Sequence, residues 1–205
     1  MSQRRVVVAI GGGIAAYKSA TVVSRLVQQG IDCSVVLTRS AQNFVGPATF
    51  AALCNRAPVL GSFDDRHPLG PHIELADGCD LLVVAPATAR ILASCAYGLA
   101  DDLLATLYLS VTCPVLMAPA MSATMWDKVP VQRNVKQLQD DGVNMVGPSE
   151  GWLSCRQKGL GRMAEADEIL AEALKLLQDS GPKAVGSSVQ SKSAATPSSS
   201  SPKQT

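Results

Sequence analysis

Val6-Val7-Val8-Ala9-Ile10-Gly11-Gly12-Gly13-Ile14-Ala15-Ala16-Tyr17-Lys18 is the stretch that decides the fold. Its first five residues are all apolar and mostly β-branched, the mark of a strand buried on both faces. Glycines then break the run. Beyond them Ala16, Ala20, Val23, Leu26 and Val27 share one face of a helix that ends at Gly30. Strand, Gly-rich turn and helix in this order are one unit of a parallel α/β sheet.

The same alternation continues outward. Residues 33–37, 81–85 and 115–118 read as further strands, and 144–146 as a short fifth. Val131, Val135 and Leu138 form a helix face that stops near Gly142, and Ile169, Ala173, Leu176 and Leu177 mark the last helix. The expectation is an α/β fold: one Rossmann-like (flavodoxin-like) domain, with a parallel sheet and helices on both faces. In such sheets ligands bind beyond the carboxyl ends of the strands. Gly11-Gly12-Gly13, Thr38-Arg39-Ser40, Pro86-Ala87-Thr88 and the segment 119–126 all follow strand ends, which points to a single site.

Composition narrows the function. The chain has 205 residues, 47% of them apolar, and a net charge of +1. That balance gives no footprint for nucleic acid or a membrane surface, and no apolar run is long enough to cross a bilayer. The start leads straight into a strand, without a signal-peptide core, so a cytoplasmic protein is expected. Six cysteines at irregular spacing, five of them in or beside apolar runs, read as free thiols in a reducing compartment. No Cys-x-x-Cys pair and only two histidines are present, so no metal site is expected. Residues 4–180 are read as the domain. Residues 181–205, Ser-rich and poor in large apolar side chains, are expected to be a disordered tail.

Several residue groups carry possible chemistry. The glycines of 11–13 allow close backbone approach to a phosphate ahead of a helix N-terminus, and their spacing suits a mononucleotide better than the dinucleotide fingerprint. Thr38 and Ser40 offer hydroxyls that either bind phosphate or cap the next helix. His72 opens a short helix on which Leu75 and Ala76 share its face. A lone histidine is more often structural, yet an imidazole can hold or relay a proton. His67 reads as part of a solvated loop. Leu153-Ser154-Cys155-Arg156-Gln157-Lys158-Gly159-Leu160-Gly161-Arg162-Met163 combines a lone thiol with glycines, which suggests a mobile flap rather than a packed element.

Taken together, these stretches resemble the flavin-dependent cysteine decarboxylases, from about residue 4 to residue 179. Residues 11–18 are similar to the family's first flavin loop, with Gly11 in place of the usual serine. Pro86-Ala87-Thr88-Ala89 matches a second loop, with Arg90 where an amide or acid is usual, and Gly98-Leu99-Ala100-Asp101-Asp102 a third. Pro71-His72-Ile73-Glu74 matches the segment that bears the catalytic histidine. Pro119-Ala120-Met121-Ser122 stands where the family has Pro-Ala-Met-Asn. The Cys155 segment matches the family flap except that Arg156 replaces a glycine.

The resemblance implies flavin mononucleotide (FMN) as cofactor, held by Gly11, Gly12, Gly13, Ile14, Thr38, Ser40, Pro86, Ala87, Thr88, Ala89 and Asp101. It implies His72 and Cys155 as catalytic residues, and Ser122, Met121, Ala120 and Arg162 around a small-molecule substrate. The reaction it implies is decarboxylation of a cysteine-containing substrate, 4'-phosphopantothenoylcysteine of coenzyme A biosynthesis first among them. The substrate thiol is oxidised to a thioaldehyde, carbon dioxide leaves, and Cys155 returns a proton as the product is reduced. Relatives acting on peptide C-terminal cysteines generally lack that thiol. A homotrimer or dodecamer is implied, with sites shared between subunits. Ser122 is shorter than asparagine, and losing a partner to a desolvated carboxylate costs about 1–3 kcal/mol. Three alternatives stay open: a peptidyl-cysteine decarboxylase, a non-catalytic FMN-binding regulatory protein, and a flavin prenyltransferase.

Overall fold

The computed structural model describes residues 3–180; the tail expected at 181–205 lies outside the described residues. Five parallel strands form the central sheet: β1 (Arg5–Ile10), β2 (Asp32–Leu37), β3 (Leu81–Ala87), β4 (Val115–Pro119) and β5 (Asn144–Met145), in the order β2-β1-β3-β4-β5. That order is one of the two common doubly wound arrangements. Register is set by the side-chain alternation, with Ile10 beside Leu37 and Ala9 beside Val84.

The alternation sorts the strands' side chains between two cores. Val6, Val8 and Ile10 point into one, with Val35, Leu81, Val83 and Leu116. There they meet α1 (Ala16–Gln28) through Val22, Val23 and Leu26, α2 (Pro47–Cys54) through Phe50, and α8 (Ala166–Asp179) through Ile169, Ala173 and Leu177. Val7, Ala9, Leu82, Val84 and Met117 point into the other. That core is closed by α3 (Pro71–Ala76), α4 (Ala89–Ala96), α5 (Leu103–Ser110) and α7 (Val129–Asp140), through Leu75, Ile91, Leu107 and Leu138. Strands that are covered on both faces need no polar alternation, which is why they read as continuous apolar runs.

Two departures from the sequence reading bear on function. The third strand runs on to Ala87, so Pro86 and Ala87 are buried strand residues rather than a loop. The flap is a packed element: β6 (Ser149–Trp152) and β7 (Lys158–Arg162) form a separate antiparallel hairpin. Glycine density hid these strands because Gly159 and Gly161 supply close approach, not looseness. Between β4 and α7 lies the single turn α6 (Ala123–Trp126). Among the described residues no helix is long and apolar enough to cross a membrane.

One polar bond crosses the packing beside the future site. Ser19 Oγ, fully buried on α1, donates to the carbonyl of Ala85 at 2.6 Å. Ser19→Ala strips that buried carbonyl of its partner and is expected to destabilise the chain by about 1–3 kcal/mol. The check is a lower urea midpoint at unchanged denaturant slope; an unmoved midpoint would remove this bond from the account.

Candidate active site

Strand order reverses between β1 and β3, since the chain leaves β1 for β2 on one side and returns to β3 on the other. The carboxyl ends of these two strands therefore splay, and the loops that follow them leave a crevice. Gly11 and Gly12 make the local geometry possible. A Cβ on Gly11 would lie 2.3 Å from the Pro86 carbonyl oxygen, and one on Gly12 would lie 2.2 Å from Ser40 Cβ. The three loops meet so closely that only side-chain-free residues fit. Gly13 is different: its nearest neighbour would be Thr88 Cγ2 at 3.8 Å, so it faces open space.

That space is a cavity of about 470 Å³. Gly12, Gly13, Ile14 and Ala15 line it from the β1–α1 turn, Thr88 and Ala89 from the end of β3, Ala120, Met121 and Ser122 from the end of β4, and Leu153, Ser154, Cys155 and Arg162 from the hairpin. No side chain caps the N-terminus of α1, which opens onto this cavity. Thr88 caps α4 through Ile91 N at 3.5 Å, and Ser122 caps α6 through Met125 N at 3.4 Å. Accepting those bonds leaves each hydroxyl its hydrogen to donate.

The hairpin is fastened at its base. Met121 N donates to the Gly161 carbonyl at 2.9 Å, and a Cβ on Gly161, which holds φ +147°, would lie 2.4 Å from the Met121 carbonyl oxygen. Gly159 sits against Ala123. Leu153 and Met163 are buried, while Ser154, Cys155, Arg156 and Gln157 are exposed at the tip. The tip turn is closed by Leu153 N to Gln157 O at 2.8 Å and Arg156 N to Leu153 O at 2.9 Å. Arg156 holds φ +63°, which explains why glycine suits this position.

Two charged groups, Lys18 in the cavity lining and Glu165 behind it, receive no role from the sequence motifs. Lys18 is buried, and its Nζ donates to Glu165 Oε1 at 2.9 Å. Arg162 donates to the same oxygen at 2.6 Å. The Lys18 hydrogen bond, assisted by the charges of Lys18 and Arg162, holds the Glu165 carboxyl below its ordinary range. Lys18 is the one charged residue among the buried positions of α1, and that is the sequence signal for this cluster.

Other expected residues lie apart. Thr38, Ser40 and Asp101 line a second depression of about 420 Å³. Thr38 Oγ1 donates to the Ile10 carbonyl at 3.0 Å and accepts from Ala41 N at 3.2 Å, the local capping role. Asp101 and Asp102 both bind Arg90, the former at 2.9 Å. The single site expected at the strand ends is thus two adjoining depressions, with Gly12 packed against Ser40 between them. Gly11, Pro86 and Ala87 are buried and line neither.

His72, on α3, is not among the residues lining either depression. Its ring folds back beside Gly70, whose Cβ would meet Cε1 at 3.2 Å. His67, expected in a solvated loop, is instead paired with Glu74 through Nδ1 at 2.9 Å. Leu69 N donates to the same carboxylate at 3.1 Å, so the loop before α3 is stapled to that helix. Of the thiols, Cys33, Cys79 and Cys95 are buried, and burial pushes Cys33 and Cys95 up to about 12. Cys155 is the exposed one.

The family profile described as flavoprotein matches residues 1–178. The chain is 42% identical over 176 residues to the coenzyme A biosynthesis bifunctional protein CoaBC of Bacillus subtilis, covering 85% of the chain and 43% of that protein. It is 44% identical over 177 residues to the CoaBC of Mycolicibacterium smegmatis, covering 86% and 42%. The chain thus spans less than half the length of these relatives. Among solved structures, the FMN-dependent cysteine decarboxylase SpaF superposes with a TM-score of 0.77 at 31% identity, covering 88% of this chain and 98% of SpaF. A cysteine-to-serine mutant of a PPC decarboxylase, complexed with pantothenoylaminoethenethiol, superposes with a TM-score of 0.76 at 26% identity, covering 86% and 100%.

Arg156→Gly gives the test of the hairpin turn. Relieving a left-handed non-glycine residue is worth about 1 kcal/mol, so hydrogen exchange at the amides of Leu153 and Arg156 is expected to slow roughly fivefold. Unchanged exchange would mean that the turn is not strained by Arg156.

Proposed function

The chain belongs to the flavoprotein family, and from that premise we propose that it is an FMN-dependent decarboxylase of 4'-phosphopantothenoylcysteine in coenzyme A biosynthesis. One observation carries the reading: the exposed thiol of Cys155 shares a cavity with the uncapped α1 N-terminus and with Ser122.

The residues present fit the cofactor. The open face of Gly13 leaves the room that a Cβ would occupy, and helix α1, capped by no side chain, turns its N-terminus toward a phosphate. The cavity has the size of an ordinary small-molecule site. Gly12, Gly13 and Ile14 would hold the phosphate end, and Thr88 and Ala89 would lie along the ring. Gly11, Pro86 and Ala87 fix the backbone behind them, and Thr38, Ser40 and Asp101 border the adjoining depression. Bound flavin supplies two-electron oxidation and reduction.

The chain's own residues do the rest. Ser122, its acceptor side engaged by Met125 N, directs its hydroxyl hydrogen to the substrate carboxylate. Ala120 and Met121 form the wall behind it, and Arg162 adds positive charge. Once carbon dioxide has left, Cys155 gives its proton to the enethiol carbon. Thiols donate near neutrality far more readily than hydroxyls. His72 lies outside the cavity of its own chain, which supports a site completed by a neighbouring copy in a homotrimer or a multiple such as a dodecamer. Enzymes of this pathway work in the cytoplasm, the compartment that free thiols suit.

Cys155→Ser separates the half-reactions. Carbon dioxide release from phosphopantothenoylcysteine is expected to persist while an unsaturated enethiol product accumulates, read by mass spectrometry. Saturated product at the parent rate would take the proton-donor role from Cys155, and absence of both flavin and carbon dioxide release in the parent protein would overturn the reading.

Ser122→Asn addresses the shorter side chain. A second, longer donor to a charged carboxylate is worth about 1.5–3 kcal/mol, so turnover is expected to rise roughly tenfold to a hundredfold. Equal or lower turnover would move the reading to another substrate or to flavin binding without catalysis.

A further inference from the structure

Glu165 stands outside the cavity lining yet connects three elements around it. It is the N-cap of α8 in a capping box, in which Glu165 N donates to Glu168 Oε2 at 2.7 Å. Its Oε1 accepts from Lys18 on α1 and from Arg162 at the end of β7. Lys18 Nζ also reaches the Met163 carbonyl at 3.4 Å, one residue beyond that strand. The carboxylate therefore joins the helix that begins at the glycine turn to the hairpin that carries Cys155.

Such a link matters because a two-stranded hairpin alone is marginally stable. This one pairs with no strand of the main sheet. Its footing consists of the Met121–Gly161 bond, the buried Leu153 and Met163, and the ion pairs of Arg162. Lys18 is buried and cannot be left without an acceptor at low cost, so it fixes where the carboxylate sits. Charge-assisted bonds from two cations to one oxygen then fix where Arg162 sits.

We propose that Glu165 is a positioning residue for the thiol: the Lys18–Glu165–Arg162 cluster latches the hairpin to α1 and so sets where Cys155 stands over the cavity. The inference rests on the proposed proton delivery by Cys155 and deepens it. Glu165 touches neither substrate nor flavin in this account and acts through Arg162. Latching selects among hairpin positions, so its loss weakens the second half-reaction more than the first, in which Arg162 adds only positive charge beside Ser122.

Glu165→Gln keeps a capping oxygen and nearly the same shape but removes the charge that both cations share. Two readouts are needed. The first is independent of decarboxylation: tryptic nicking after Arg156 or Lys158 at the exposed tip, mapped by mass on the folded, flavin-loaded protein. Nicking follows the population of opened hairpin and is expected to rise several-fold, with the global urea midpoint little changed. The second is the ratio of saturated to unsaturated product from phosphopantothenoylcysteine, expected to fall several-fold, with a smaller change in carbon dioxide release. If Glu165→Gln is poorly folded, Glu165→Asp serves: a carboxylate that still reaches Lys18 restores the parent ratio in part. Unchanged nicking and an unchanged product ratio in a folded variant overturn the latch. Raised nicking with a parent that releases no carbon dioxide keeps the latch and defeats the decarboxylase reading instead.

Discussion

The site depends on a steric constraint at the carboxyl ends of β1, β2 and β3. Gly11 abuts the Pro86 carbonyl and Gly12 abuts Ser40, at separations that no Cβ can occupy. Those approaches draw the first three strand ends together at the point where strand order reverses. They leave Gly13 and the uncapped start of α1 facing a cavity instead of a neighbour. The expected glycine role was approach to a phosphate. In the structure Gly11 serves approach to the end of β3, Gly12 both abuts Ser40 and lines the cavity, and Gly13 lines it without a close neighbour. A methyl group on Gly11 would press on the end of β3, and one on Gly12 on the loop after β2.

Around that junction, three supports of different strength hold the reactive groups. Thr88 and Ser122 are fixed as N-caps of α4 and α6, so their hydroxyls have defined orientations. Cys155 rides on a hairpin with its own sheet, tied down by one backbone bond, two buried side chains and an ion-pair cluster. His72 belongs to α3, on the opposite core, with its preceding loop stapled through His67 and Glu74. This division suits the proposed chemistry, in which cofactor and carboxylate need fixed geometry and a proton donor must admit substrate before it covers it.

The sheet was legible because doubly covered strands are unbroken apolar runs, and α1, α7 and α8 because each has one apolar face. The helices α2 and α5 were not: Pro-Ala-Thr-Phe-Ala-Ala-Leu-Cys and Leu-Leu-Ala-Thr-Leu-Tyr-Leu-Ser are apolar nearly all round and carry no clear period. The hairpin was missed because glycines weaken any strand signal. Among candidate residues on motif loops, Gly13, Thr88, Ser122, Cys155 and Arg162 line one cavity. Resemblance supplied most of that, and the backbone supplied the reason. Lys18 and Glu165 were passed over because their partnership spans 147 positions and leaves no local pattern.

The separate sheet of β6 and β7 makes catalytic outcome a detachable trait. The tip residues Ser154, Cys155, Arg156 and Gln157 are exposed and contribute nothing to either core. Substitutions there cost little folding free energy, while on the proposed role of Cys155 the residue at the tip decides whether the product leaves saturated or unsaturated. Selection can therefore exchange one end product for another without re-solving the packing of the domain. A fold arranged in this way is a stable carrier with an interchangeable last step.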